Sequence, residues 1–118
     1  MARYWDAGLD IHIHSNGDAA QNSTLAAFAR QSEGEDGQRL IIEHAGLITP
    51  AQMGKASELG IGISAASHYV NYMGQDYRPV IAEKADYITP LASAFEAGLR
   101  VSVHSDAPLA PPMPLLAA

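Results

Sequence analysis

Four short stretches of the chain end on side chains that can bind a metal or move a proton. His14 closes Leu9-Asp10-Ile11-His12-Ile13-His14, and His44 closes Arg39-Leu40-Ile41-Ile42-Glu43-His44. His68 stands just past Ile61–Ala66, and Asp106 just past Leu99–Val103. Imidazole nitrogens and a carboxylate suit Zn²⁺, Fe²⁺ or Mn²⁺, and a carboxylate can also serve as a general base. The sequence has no cysteine, so any metal must be held by histidine and carboxylate. One histidine at a strand end is more often a hydrogen-bonded structural residue than a ligand. Three at equivalent places, with an aspartate at the fourth, reverse that weighting.

The neighbours of these residues read differently. His12 shares a strand face with His14, one pleat deeper, and is as well explained by a buried layer as by His-x-His metal binding. His104, beside Asp106, is expected to hydrogen-bond to it in support. Asn16-Gly17-Asp18 shapes a turn and caps a helix, with Asp18 also in a position to orient His14. Glu43 alternates away from His44 and is expected on the opposite face in a structural role. Tyr69, Tyr72 and Tyr77 belong either to a substrate mouth or to an ordinary packed loop.

Period-two alternation in the first stretch puts Leu9, Ile11 and Ile13 on one face and Asp10, His12 and His14 on the other. Strands are expected over about Leu9–His14, Arg39–His44, Ile61–Ala66 and Leu99–Val103. Ala7-Gly8 reads as the end of a helix whose beginning is absent. A helix over Ala19–Gln31 is expected to start from a capping box of Asp18 and Gln21, with a polar loop over Glu33–Gln38 after it. Thr49-Pro50-Ala51-Gln52 is a second helix start, with Gly60 as its stop. Asn71–Arg78, aromatic and glycine-bearing, reads as a loop leading into a short helix near Pro79–Ala85. Thr89-Pro90 opens a further helix that ends at Gly98, and the Pro- and Ala-rich tail has no clear period. Ile48-Thr49-Pro50 and Ile88-Thr89-Pro90 each lead through a helix to a glycine and a strand. Repeated helix-to-strand units imply parallel strands with crossover helices. The expected fold is therefore α/β: about four parallel β/α units, half of a (β/α)8 barrel. In such a barrel the C-terminal strand ends converge on one mouth.

At 118 residues the chain forms a single small domain, and a hydrophobic content of 47% fits a globular one. The net charge of −6, with seven scattered Lys and Arg, argues against nucleic acid or an anionic membrane as partner. No stretch reads as a membrane helix or a signal peptide. The absence of cysteine is compatible with the cytoplasm, the expected location.

Along the chain, in order, stand His14-Ser15-Asn16-Gly17-Asp18-Ala19-Ala20, Ile42-Glu43-His44-Ala45, His68-Tyr69-Val70-Asn71-Tyr72-Met73-Gly74 and His104-Ser105-Asp106-Ala107-Pro108. Each is weak by itself. The ordered set, from about Gly8 to Leu115, resembles the C-terminal half of amidohydrolase-superfamily enzymes of the amidohydrolase family 3 type, some of which are labelled exoenzyme regulatory proteins. That resemblance implies strands five to eight of a TIM barrel and a metal-dependent hydrolase. The bonds cleaved would be carbon–nitrogen bonds in small-molecule amides, cyclic amides or N-acyl compounds. It implies a divalent cofactor, zinc first, with His14 the fifth-strand ligand, His44 the sixth-strand ligand, and Asp106 both eighth-strand ligand and general base. His68 matches a position near the substrate, where it would polarise or grip the carbonyl, so Asp106 and His68 are the catalytic candidates.

The family's first-strand His-x-His, fourth-strand bridging ligand and flanking β-sandwich have no counterpart in residues 1–118. The resemblance therefore implies one partial domain that is inactive alone. Two open sheet edges make a homo-oligomer the expected state, a two-fold dimer that rebuilds the barrel being the simplest geometry. The alternative is a non-catalytic oligomerising module that keeps the histidines as hydrogen-bonding relics. An open flavodoxin-like domain is disfavoured, because no Gly-rich phosphate loop follows the first strand.

Overall fold

The computed structural model describes residues 1–31 and 37–117, so most of the Glu33–Gln38 loop lies outside the described residues. Strands β1 (Ile11–Ser15), β2 (Leu40–His44), β3 (Gly62–Ala65) and β4 (Val101–Val103) form one sheet in the order β1-β2-β3-β4. Every neighbouring pair is parallel. The order follows the sequence without reversal, so the sheet has no switch-point crevice of the flavodoxin kind. Crossovers between neighbouring parallel strands are right-handed almost without exception, a rule that puts the connecting helices of such a sheet on one face.

Helix α1 (Ala2–Trp5) precedes the sheet, and Gly8 beyond it takes the left-handed φ of 75° expected of a helix-ending glycine. Helices α2 (Asp18–Phe28) and α3 (Pro50–Glu58) make the first two crossovers. The third is longer: α4 (Tyr69–Ile81), a 3-10 turn (Ala82–Tyr87) and α5 (Leu91–Glu96). A last short helix, α6, spans Pro114–Ala117.

The core lies between sheet and helices. Leu25 and Phe28 of α2, Met53 of α3, and Ile42 and Ile63 of the strands are buried in one cluster with Ile48 and Ile61. Ile11 and Ile13 pack against it, as their alternation requires, while His12 and His14 turn to the other face and are exposed. Each fully buried isoleucine contributes about 1.5–3 kcal/mol through apolar burial.

Thr49 caps α3 with the full reciprocal box: its Oγ1 accepts from Gln52 N, and Gln52 Oε1 accepts from Thr49 N. The matching tripeptide at Ile88-Thr89-Pro90 does not cap. Thr89 sits at φ 44° with its Oγ1 buried and unpartnered, and α5 begins at Leu91. Ala92 stands where Gln52 stands in the first copy, so no side chain can return the bond. Instead the two copies are joined: Leu47 and Ile88 form an antiparallel bridge, and Thr89 N donates to Gly46 O.

Two further expectations are corrected. The Asp18–Gln21 box does not form, because Gln21 is fully buried and its Nε2 donates to Ser15 O at 2.8 Å. Asp18 instead accepts from Ala19 N and pairs with Lys84 Nζ at 2.6 Å, so it does not orient His14. The segment Asn71–Arg78 is not a loop but the body of α4, despite Gly74 and Pro79. In an exposed helix those residues cost roughly 1 and 3 kcal/mol. Only Tyr69 of α4 is buried.

Candidate metal centre

The sheet register builds the site on the face away from the helices. His14, Glu43, Ser64 and Ser102 are successive partners across the four strands, so their side chains share that face. One residue further, Ser15, His44, Ala65 and Val103 form the next row. That row should point toward the helices. Ser15 and Ala65 do, both fully buried.

His44 does not. Its backbone takes φ 72°, and Ala45 follows at 47°. This left-handed turn carries the imidazole back over the open face, with its ring centroid 4.6 Å from that of His14 and 5.0 Å from that of His104. Glu43 is therefore not on the opposite side from His44: it lies within the cluster. Its Oε1 is 2.5 Å from His12 Nδ1, and its Oε2 is 3.8 Å from His104 Nε2. His12 is accordingly neither a buried layer residue nor a member of the metal-capable group described below.

Asp106 reaches the same hollow through a second left-handed turn, at φ 49°. Non-glycine residues in this conformation cost on the order of 1–3 kcal/mol each and concentrate at functional sites. Asp106 N donates to His104 Nδ1 at 3.1 Å, which holds the turn. A neutral His104 then carries its proton on Nε2, the nitrogen facing Glu43. His104 thus meets the Asp106 backbone and not its carboxylate, and its Nε2 is buried without a hydrogen-bond partner among the described residues.

His44, His104 and Asp106 each offer a ligand atom, all within 4.8 Å of one another. No set containing His14 meets that spacing among the described residues; its ring lies edge-on to His44. His44 Nδ1 is buried with no hydrogen-bond partner and lies 3.8 Å from Asp106 Oδ2. That separation is too long for a hydrogen bond. It suits two ligands each about 2.0–2.2 Å from one cation. An orphaned buried nitrogen facing a carboxylate is thus a donor set that fits a divalent metal.

Burial pushes His44 below the ordinary imidazole value, helped by His14 and His104 and opposed by the charge of Asp106. The neutral ring is the form that binds metal. Burial raises Glu43, but hydrogen bonds from His12 and Ser64 outweigh it and hold the carboxyl below its ordinary range. Tyr69 is pushed up by burial and by Asp106, so it keeps its hydroxyl proton at neutral pH. Its ring stacks on His44 at 6.1 Å, and Asn16 bonds its hydroxyl. Asn16 can lie there because residue 46 is glycine; a Cβ at that position would collide with its Oδ1.

His68 stands apart, 92% buried by its 8% exposure, with its ring against Tyr69 and Tyr72. Both of its ring nitrogens lack a partner. It lines a cavity of about 500 Å³ with Tyr72, while Tyr77 is not among the lining residues.

A model of the amidohydrolase family matches residues 1–118. The chain belongs to the amidohydrolase family. Its fold is that of an uncharacterized metal-dependent hydrolase from Pyrococcus furiosus, at TM-score 0.79 and 28% identity over 95% of this chain and 23% of that one. A second such hydrolase, from Pyrococcus horikoshii, matches in fold at TM-score 0.71, with 24% identity over 91% of this chain and 21% of that one. The chain thus spans less than a quarter of either structure, and its four β/α units match one segment of those hydrolases' barrels. No curated protein matches the sequence. Among the described residues no helix is long and apolar enough to cross a membrane.

Proposed function

We propose that these residues supply part of the metal centre of a cytoplasmic hydrolase that cleaves carbon–nitrogen bonds in non-peptide amides or cyclic amides, with zinc as the metal. The observation that carries this reading is the orphaned His44 Nδ1, 3.8 Å from Asp106 Oδ2, in a chain of the amidohydrolase family. His44 and Asp106 would hold the cation; His104 stands close enough to be a third ligand, and His14, whose ring lies edge-on to His44, would join only by turning toward it. When bound, a divalent cation polarises a carbonyl oxygen and acidifies water. Asp106 takes the proton of the attacking water and passes it to the leaving nitrogen. Its side chain is 42% exposed, so a substrate can reach it. His68 grips the carbonyl side of the substrate.

The test is hydrolysis of a panel of amides, cyclic amides and esters by the complete barrel that carries this segment. Amide cleavage that disappears in Asp106→Asn is expected. Ester cleavage with amides untouched would overturn the bond assignment. The 118 residues alone are expected to be inactive.

A second reading, a non-catalytic oligomerising half-barrel, draws on the edges that β1 and β4 leave unpaired in the sheet. On either reading the isolated chain self-associates through those edges. Light scattering at roughly tens of micromolar should show a dimer or larger species; a stable monomer would contradict it. Chelation separates the two readings, since only a metal protein loses stability when its ion is removed.

A further inference from the structure

The cavity beside His68 has a composition that selects among substrates. Its walls are apolar where Val70, Tyr72, Met113 and Leu116 contribute, and polar where Asn71, Gln75 and Ser105 do. Among the described residues no Lys, Arg, Asp or Glu lines it. His68 is the one titratable imidazole in the wall, and neither of its nitrogens finds a partner among the described residues. An imidazole in its neutral form presents one donor and one acceptor. A neutral amide offers an N–H or a C=O to either nitrogen, though one amide cannot span both, because the two ring nitrogens point apart. Leaving a buried polar atom unpaired is costly, and a ligand that reaches one of the two lowers that cost.

A carboxylate would fare worse in the same space. It would leave water without meeting a cationic side chain, and it would approach a chain whose net charge is −6.

We propose that this cavity binds the uncharged, apolar or aromatic portion of a neutral amide and discriminates against substrates that carry a carboxylate there. The inference rests on the amide-hydrolase reading above and narrows its substrate class. Ser105, next to Asp106 in sequence, links the cavity wall to the proposed centre.

The experiment compares two probes that differ by one group, acetanilide and 4-acetamidobenzoate, binding to the metal-free chain. Affinity is followed by ligand-observed NMR, and the His68 ring signals are followed in the same titration. Acetanilide should bind about tenfold tighter or better and shift the His68 signals. Met113 is 56% exposed, so Met113→Arg can add a cation to the wall without emptying the core. That variant should reverse the preference toward 4-acetamidobenzoate. Equal affinities, binding of neither probe, unmoved His68 signals, or a preference unchanged by Met113→Arg would each overturn the proposal. Zinc uptake measured on the same preparations separates the failures. Lost selectivity with zinc uptake intact strikes the cavity alone, and lost zinc uptake with selectivity intact strikes the metal centre alone.

Discussion

His44 ends one parallel strand and His68 follows the next, each is largely buried, and each has unpartnered ring nitrogen, yet they face different chemistry. The backbone makes the difference. At φ 72° His44 swings across its own strand and meets His14, His104, Tyr69 and the Asp106 carboxylate. At φ −67° His68 is the N-cap of α4, and its ring meets the rings of Tyr69 and Tyr72. For His44 the turn is what brings the ring to a carboxylate and makes it a metal-ligand candidate. His68, without that turn, lines a cavity instead.

The sharpest break of this contrast removes the imidazole–carboxylate pair itself. His44→Ala and Asp106→Ala should each lower zinc affinity in a competition titration by more than the roughly 10- to 100-fold that losing a supporting partner costs. Next come the supports. His104→Ala or Glu43→Ala should cost about 10- to 100-fold in zinc affinity, with Glu43→Gln milder because it keeps one carbonyl acceptor. A smaller effect is expected from acid. His44 lies below its ordinary value near 6.5, so the folded state resists its protonation. Its contribution to stability is complete above that value and is lost as pH falls through the lower folded value. Melting curves of metal-free protein should show this loss, and His44→Gln should flatten it. The smallest effect belongs to His68: His68→Asn should leave zinc affinity unchanged within error. A loss there comparable to that of His44→Ala would erase the distinction.

Much of this arrangement is legible from residue order. The alternation of Ile11, His12, Ile13 and His14 fixes which residues face the helices, and Thr49 with Gln52 marks a helix start. The two Ile-Thr-Pro stretches announce repeated β/α units. What escapes the sequence is conformational or distant. Nothing in Glu43-His44 signals a left-handed histidine, so simple alternation puts Glu43 on the wrong side of its neighbour. Gly74 and Pro79 disguise α4, because propensity alone argues against a helix there. Lys84 claims Asp18 from 66 positions away, a pairing no local pattern carries.

The central claim is that a cation belongs between residues 44 and 106. Crystals soaked in zinc and measured at the zinc absorption edge would test it directly. An anomalous peak bonded to His44 Nδ1 and an Asp106 carboxylate oxygen is expected. An empty hollow with zinc instead on His12 and Glu43, or on no residue at all, would contradict it.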